Sequence, residues 1–211
     1  VTPDLQKLAQ RFEKISPRLK GTRFAFMRHA DHVDAICPWG NRFRCHAPSA
    51  QFGSMELGMP YVEFDVPLGS AEGIARFYRE WIGAPAQLEQ RADGMVAVVN
   101  SGPEQKLLFH ETDAPLPEYD NHHIQIYIAD FSGPHARLLQ HDLITEESNP
   151  HQYRFRDIVD PASGKVLYTV EHEVRSLTNP LYARPLINRN PDQNARDYRR
   201  GRDFFTWQTG E

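Results

Sequence analysis

The sequence predicts an α+β protein built from tandem strand-helix-strand-strand-strand (βαβββ) modules, and three observations predict it. Residues 121–130 alternate strictly: Ile124, Ile126 and Ile128 point to one face of a strand, and His123, Gln125 and Tyr127 to the other. The stretch Tyr61-Val62-Glu63-Phe64-Asp65-Val66 repeats that design upstream, with Val62, Phe64 and Val66 on the packing face. The segments that follow these two strands also match, Ala75-Arg76-Phe77-Tyr78 beside Ala136-Arg137-Leu138-Leu139. The chain therefore reads as an internal duplication.

The opening helix is predicted over residues 3–19, where Leu5, Leu8, Phe12 and Ile15 fall at helical spacing and Pro17 with Gly21 closes the segment. Strands are predicted at 23–27 and 33–37, and the turn Pro38-Trp39-Gly40-Asn41 leads into a third at 42–46. Residues 48–60 read as a linker. The first full repeat starts with a strand at 61–66, then a helix opened by Ser70 with Ile74, Phe77, Tyr78, Trp81 and Ile82 on one stripe, ended by Gly83. By phase that aromatic stripe is core. Strands at 86–90, 95–100 and 106–112 complete the repeat across the Asp93-Gly94 and Ser101-Gly102-Pro103 turns.

Pro115 and Pro117 mark a second linker, and the order recurs. A strand at 122–128 runs to Asp130, Ser132 and Pro134, which suit a helix start, and the helix is placed at 135–143. Residues 144–150 are too polar to assign. Strands at 153–159 and 165–175 follow, joined through Asp160-Pro161-Ala162-Ser163-Gly164. Residues 176–211 carry Pro180, Pro185 and Pro191 with no clear period and read as an extended C-terminal arm, with Leu181, Tyr182, Leu186, Phe204, Phe205 and Trp207 available to dock on the body.

Composition bounds the function. The chain has 211 residues, 40% hydrophobic and 25% charged, enough to bury a sizeable core. No apolar run approaches the roughly 18 residues that span a bilayer, and no signal-like segment precedes the first helix, so a cytoplasmic protein with no membrane partner is expected. The chain opens on Val1 directly at a helix start, which raises the expectation of further chain upstream. A net charge of −4 argues against a general nucleic-acid binder, which needs a basic field. The late arginines Arg196, Arg199, Arg200 and Arg202 are interleaved with Asp197 and Asp203 and read as a solvated or interface face. Cys37 and Cys45 flank their turn out of register, so reduced packing thiols are expected.

The duplicated module, with Phe77-Tyr78-Arg79-Glu80-Trp81-Ile82-Gly83 in its first helix and Asp160-Pro161-Ala162-Ser163-Gly164 before its last strand, resembles the vicinal oxygen chelate superfamily. That group spans glyoxalases, bleomycin-resistance proteins, epimerases and extradiol dioxygenases. The likeness covers residues 58–175 as a paired domain, with an echo in residues 1–48 as a partial N-terminal module. It implies curled mixed sheets around a cavity and a divalent metal held from the first and last strands of the modules. On those strands His123 matches the family's histidine and Tyr61 departs from it. The last-strand carboxylate falls near Glu171, although the family spacing lands closer to Tyr168.

Strand parity puts Val166, Tyr168, Val170 and Val174 on one face of the last strand and Thr169, Glu171, Glu173 and Arg175 on the polar one. It likewise leaves Leu108 and His110 facing away from the helix. His110, His123 and Glu171 then make a two-histidine, one-carboxylate set suited to iron(II) or manganese(II). Glu63 is a further candidate, as ligand or general base. Tyr127 is a candidate for proton transfer or orientation, and Tyr61 and Gln125 are candidates for binding substrate oxygens. The plain reading stands beside this one: an interior histidine is commonly just hydrogen-bonded, Glu173 and Arg175 can be a structural ion pair, and His29, His32 and His46 match no recognised metal spacing. Two functions follow. One is a metal-dependent enzyme, extradiol-dioxygenase-like or glyoxalase-like, acting on a small oxygen-rich substrate; the other is a metal-free binder of a small ligand, similar to bleomycin-resistance proteins. Exposed strand edges add the expectation of a homodimer.

Overall fold

The computed structural model describes residues 1–185 and 188–203. The chain divides into two compact units, Val1–Tyr61 and Val62–Glu211.

In the N-terminal unit, helix α1 (Leu5–Ile15) runs into a 3-10 turn at Ser16–Leu19, as the Leu5/Leu8/Phe12/Ile15 spacing predicts. Asp4 caps it, its Oδ1 accepting the Lys7 amide at 2.7 Å. Strands β1 (Ala25–Arg28), β2 (His32–Ile36) and β3 (Arg42–His46) form an antiparallel sheet in that order. Phe12 packs on Phe24 and Phe26, and Ala9, Val33, Ala35 and Phe52 are buried. The amino terminus is tied down: the Val1 ammonium donates to the Gly58 carbonyl at 2.7 Å and the Thr2 amide to that of His46 at 2.9 Å.

The duplication is plain in the second unit. Strand β4 (Tyr61–Pro67), which enters this unit at Val62, comes first, followed by helix α2 (Ala71–Phe77), a π turn at Tyr78–Ile82, and strands β5 (Ala86–Arg91), β6 (Gly94–Gly102) and β7 (Gln105–Thr112). The second repeat runs β8 (His123–Ile128), α3 (Ser132–Gln140), β9 (Ile144–Asn149), β10 (Gln152–Val159) and β11 (Val166–Ser176). The two four-stranded sheets have the orders β4-β7-β6-β5 and β8-β11-β10-β9, so each places its repeat's strands first, fourth, third, second. In the second sheet β8 and β11 are parallel and the rest antiparallel, hence mixed as expected.

One core serves both repeats. Ile74, Phe77, Tyr78, Trp81 and Ile82 are all buried and pack with Val99, Phe109, Ile126, Phe155 and Val174 from the two sheets. Gly73 is where α2 meets the second repeat, since a Cβ there would lie 2.5 Å from Leu167 Cδ1. Arg76 holds Asp160 at 3.1 Å, and Arg137 of α3 donates to the carbonyls of Glu80 and Trp81 at 2.8 and 2.7 Å.

Three local expectations are corrected. Ser70 sits at the start of α2 but does not cap it. Its hydroxyl donates back to the Pro67 carbonyl at 2.6 Å, and Glu111 Oε1 takes the Ala71 amide at 2.8 Å instead. Helix α3 lies three residues upstream of the predicted 135–143, because Asp130 Oδ1 accepts the Gly133 amide at 3.0 Å and fixes the start there. The unassigned 144–150 is an edge strand, exposed along nearly its whole length, so burial imposed no alternation.

Among the described residues no helix is long and apolar enough to cross a membrane. The arm is turn-rich to Asp203, whose carboxylate accepts from Gln193 Nε2 and from the Tyr198 hydroxyl, each at 3.1 Å. Tyr182 of this arm packs on Tyr127, ring centroids 5.3 Å apart. Leu186, Phe204, Phe205 and Trp207, read as docking residues, lie outside the described residues.

Candidate functional site

The polar face of the second sheet gathers most of the expected site residues. In parallel register His123 lies beside Glu171, Gln125 beside Glu173 and Tyr127 beside Arg175. On the other side of β11, Arg154 is the partner of Glu173 and Gln152 of Arg175. The alternation read from the sequence holds, with Ile124, Ile126 and Ile128 packed against the core.

These side chains form a continuous polar network. Arg154 binds Glu171 Oε2 at 3.0 Å and Glu173 Oε2 at 2.8 Å, with Glu146 at 3.6 Å. Arg175 pairs with the other oxygen of Glu173, and donates to Gln152 Oε1 at 2.9 Å and to the Tyr127 hydroxyl at 3.2 Å. Its guanidinium also lies over the Tyr127 ring, 5.9 Å from the centroid. Gln125 Nε2 donates to the same hydroxyl at 2.9 Å. Glu173 is almost fully buried, so its charge requires the two arginines. Tyr119, not foreseen, stands close by: burial pushes its phenol up, and the charge of Glu171 pushes the same way.

His110 and Glu63 make a separate cluster on the first sheet. His110 Nδ1 lies 4.0 Å from Glu63 Oε1 and its Nε2 3.4 Å from Asp93 Oδ1, while Arg91 stands 3.7 Å from Glu63. Tyr61, in the N-terminal unit, shares a hydrogen bond with His46 Nε2 at 3.0 Å.

A metal held by His110, His123 and Glu171 requires their ligand atoms to converge, and they do not. Among the described residues one group of three histidine, cysteine or carboxylate side chains has ligand atoms within 4.8 Å of one another, and it is not this set. Glu171 is committed to Arg154 besides. In this arrangement His110, His123 and Glu171 do not form a set of three neighbouring ligands.

The sequence missed His172 altogether. It is fully buried on the Val170–Val174 side of β11, its ring stacked on Phe155 with centroids 4.1 Å apart. Nδ1 donates to the Val170 carbonyl at 2.8 Å, which leaves Nε2 to accept from the Tyr78 hydroxyl at 2.5 Å. Burial holds this imidazole neutral, its pKa lowered to about 3. A cleft of about 160 Å³ opens beside α3, lined by Phe131, Ser132, His135, Glu147, Gln152 and Tyr153, none of which was expected in a site.

No protein-family model matches this sequence, and no curated protein matches it. Solved structures with similar backbones include a protein described as glyoxalase-family from Bacillus anthracis (19% identity, TM-score 0.42, covering 58% of this chain and 97% of that one). Others are a lactoylglutathione lyase from Agrobacterium tumefaciens (16%, 0.37, covering 58% and 95%) and TnmS3, an antibiotic binding protein from Streptomyces sp. CB03234 (17%, 0.39, covering 58% and 98%). The paired repeats have matching strand orders and share one core.

Proposed function

We propose that the paired repeats bind a small polar molecule without a metal, on the polar face of the second sheet. The observation that carries this reading is the state of Glu171. The carboxylate best placed by register to serve as a ligand is paired with Arg154 at 3.0 Å, and Glu171, His110 and His123 do not gather as a set of three ligands. Displacing Arg154 would also strip a counter-charge from buried Glu173.

What the face offers instead is hydrogen bonding. His123 and Gln125 are exposed, and the Tyr127 hydroxyl is oriented by Gln125 and Arg175. Glu146, Glu171 and Glu173 against Arg154 and Arg175 leave the face slightly negative, which favours an uncharged or cationic ligand rich in donors.

A thermal-shift screen of polar small molecules, run with and without EDTA, tests this. The expected result is stabilisation that survives EDTA and is lost in Gln125→Ala and His123→Ala, whose unliganded melting temperatures stay at the parent value. Binding that vanishes with EDTA and with Glu171→Gln would replace this reading by the metal-dependent enzyme, the alternative that the register pairing of His123 with Glu171 favours.

A further inference from the structure

We propose that the β1–β2 hairpin of the N-terminal unit is a binding site for a divalent transition-metal ion, with His29 Nε2, His32 Nε2 and Asp34 Oδ2 as ligands. The hairpin itself assembles the set. Arg28 pairs with Val33 and the His29 amide donates to the His32 carbonyl at 2.9 Å, so the tight turn brings His29 back over β2. His32 and Asp34 are two apart on that strand and share a face. The two imidazoles stack at 4.2 Å with their planes 12° apart, and the Nε2 of each lies near the same oxygen of Asp34.

The distances suit a coordination sphere. His29 Nε2 and His32 Nε2 lie 3.4 and 3.5 Å from Asp34 Oδ2. Ligand bonds of about 2.1 Å in tetrahedral array place neighbouring donor atoms about 3.4 Å apart. Both separations are long for a hydrogen bond and match that edge.

Outer groups hold the donors in place. His32 Nδ1 lies 2.7 Å from Asp31 Oδ1, an outer carboxylate that orients the ring with its Nε2 toward Asp34. Arg44 Nε donates to Asp34 Oδ1 at 2.9 Å and aims Oδ2 at the histidines. The arginine charge opposes a cation, so binding on the order of micromolar is expected rather than the tight binding of a closed structural site. Two imidazoles and one carboxylate, part-exposed, leave coordination positions open and suit zinc, cobalt or nickel.

The test is titration of the full chain, stripped with chelator and dialysed, with cobalt(II) followed by its visible absorption and with zinc(II) followed by calorimetry. The expected result is one saturable ion per chain, weakened at least tenfold in His32→Ala and in Asp34→Asn, and weakened but retained in Asp31→Asn. His123→Ala and Glu171→Gln should leave it unchanged, which separates this site from any metal on the paired repeats. Binding that is equally strong in His29→Gln and His32→Ala, with circular dichroism unaltered, would overturn the assignment, as would absence of saturation at millimolar metal.

Discussion

The Tyr78 hydroxyl donates to His172 Nε2 across 2.5 Å, joining the π turn of the first repeat to the last strand of the second. Both side chains are buried, Tyr78 at 1% and His172 at 0% exposure, so neither can turn to water if the other is lost. Burial also pushes the Tyr78 phenol well above its ordinary value, keeping the proton on the oxygen that donates it. Tyr78→Phe should therefore leave a buried imidazole nitrogen unsatisfied and cost about 2 kcal/mol. Urea denaturation checks this: the midpoint should fall with an unchanged slope, and an unshifted midpoint would mean that packing alone joins the repeats here.

The same imidazole sets an acid limb. As pH falls through 6.5 an unfolded chain takes up a proton at His172, whereas the folded chain keeps the ring neutral down to about 3. The stability this group confers is fully present above 6.5 and is lost as pH drops toward 3, by up to tenfold in the folding equilibrium per pH unit. The double variant Tyr78→Phe/His172→Leu removes donor and acceptor together. Its stability at neutral pH should stay near the parent, while its dependence on pH between 6 and 4 should be shallower when measured by denaturant melts at stepped pH.

Arg154 should matter more than its partial exposure implies. It touches Glu171, Glu173 and Glu146, and the Glu173 side chain is only 6% exposed. Arg154→Met leaves that buried carboxylate with Arg175 alone and should cost roughly 3 kcal/mol. Glu146→Gln, at the exposed rim, should change stability by less than about 0.5 kcal/mol. Equal effects in the two variants would show that the network is solvated and carries no buried charge.

Period-2 patterning made much of this fold legible. Strands β4 and β8 have one packed face and one polar face, so Val62/Phe64/Val66 and Ile124/Ile126/Ile128 declare themselves, and the Phe77-Tyr78-Trp81 stripe declares the helix. His172 escaped because Glu171-His172-Glu173 reads as wholly polar. Its parity with Val170 and Val174 was the available signal, and it places the ring in the core. Strand β9 gave none, since an exposed edge strand is free to be Ile144-Thr145-Glu146-Glu147-Ser148-Asn149. The His29/His32/Asp34 cluster was invisible to spacing rules because its members come from a turn and the strand after it, and only hairpin register brings them together. Tyr61 and His110 were placed on the right strands, but their partners, His46 and the Glu63/Asp93 pair, depend on contacts that parity does not encode.

The two cysteines, both free thiols, should differ in reactivity. Burial pushes the Cys45 thiol up and the nearby Asp34 charge adds to that, with the amino terminus opposing more weakly than burial acts. At Cys37 burial also pushes upward, but the amides of Trp39, Asn41 and Gly40 together outweigh it, and the thiol ends below its usual value. Since the thiolate is the nucleophile, Cys37 should be alkylated several-fold faster than Cys45 near neutral pH. Limited iodoacetamide treatment of the folded protein, followed by peptide mass spectrometry, reads the ratio directly. Denaturant should bring the two rates together, because the amide cradle of the Pro38-Trp39-Gly40-Asn41 turn exists only in the folded hairpin. Faster labelling of Cys45 in the native state would mean that this turn does not hold its amides toward the sulfur.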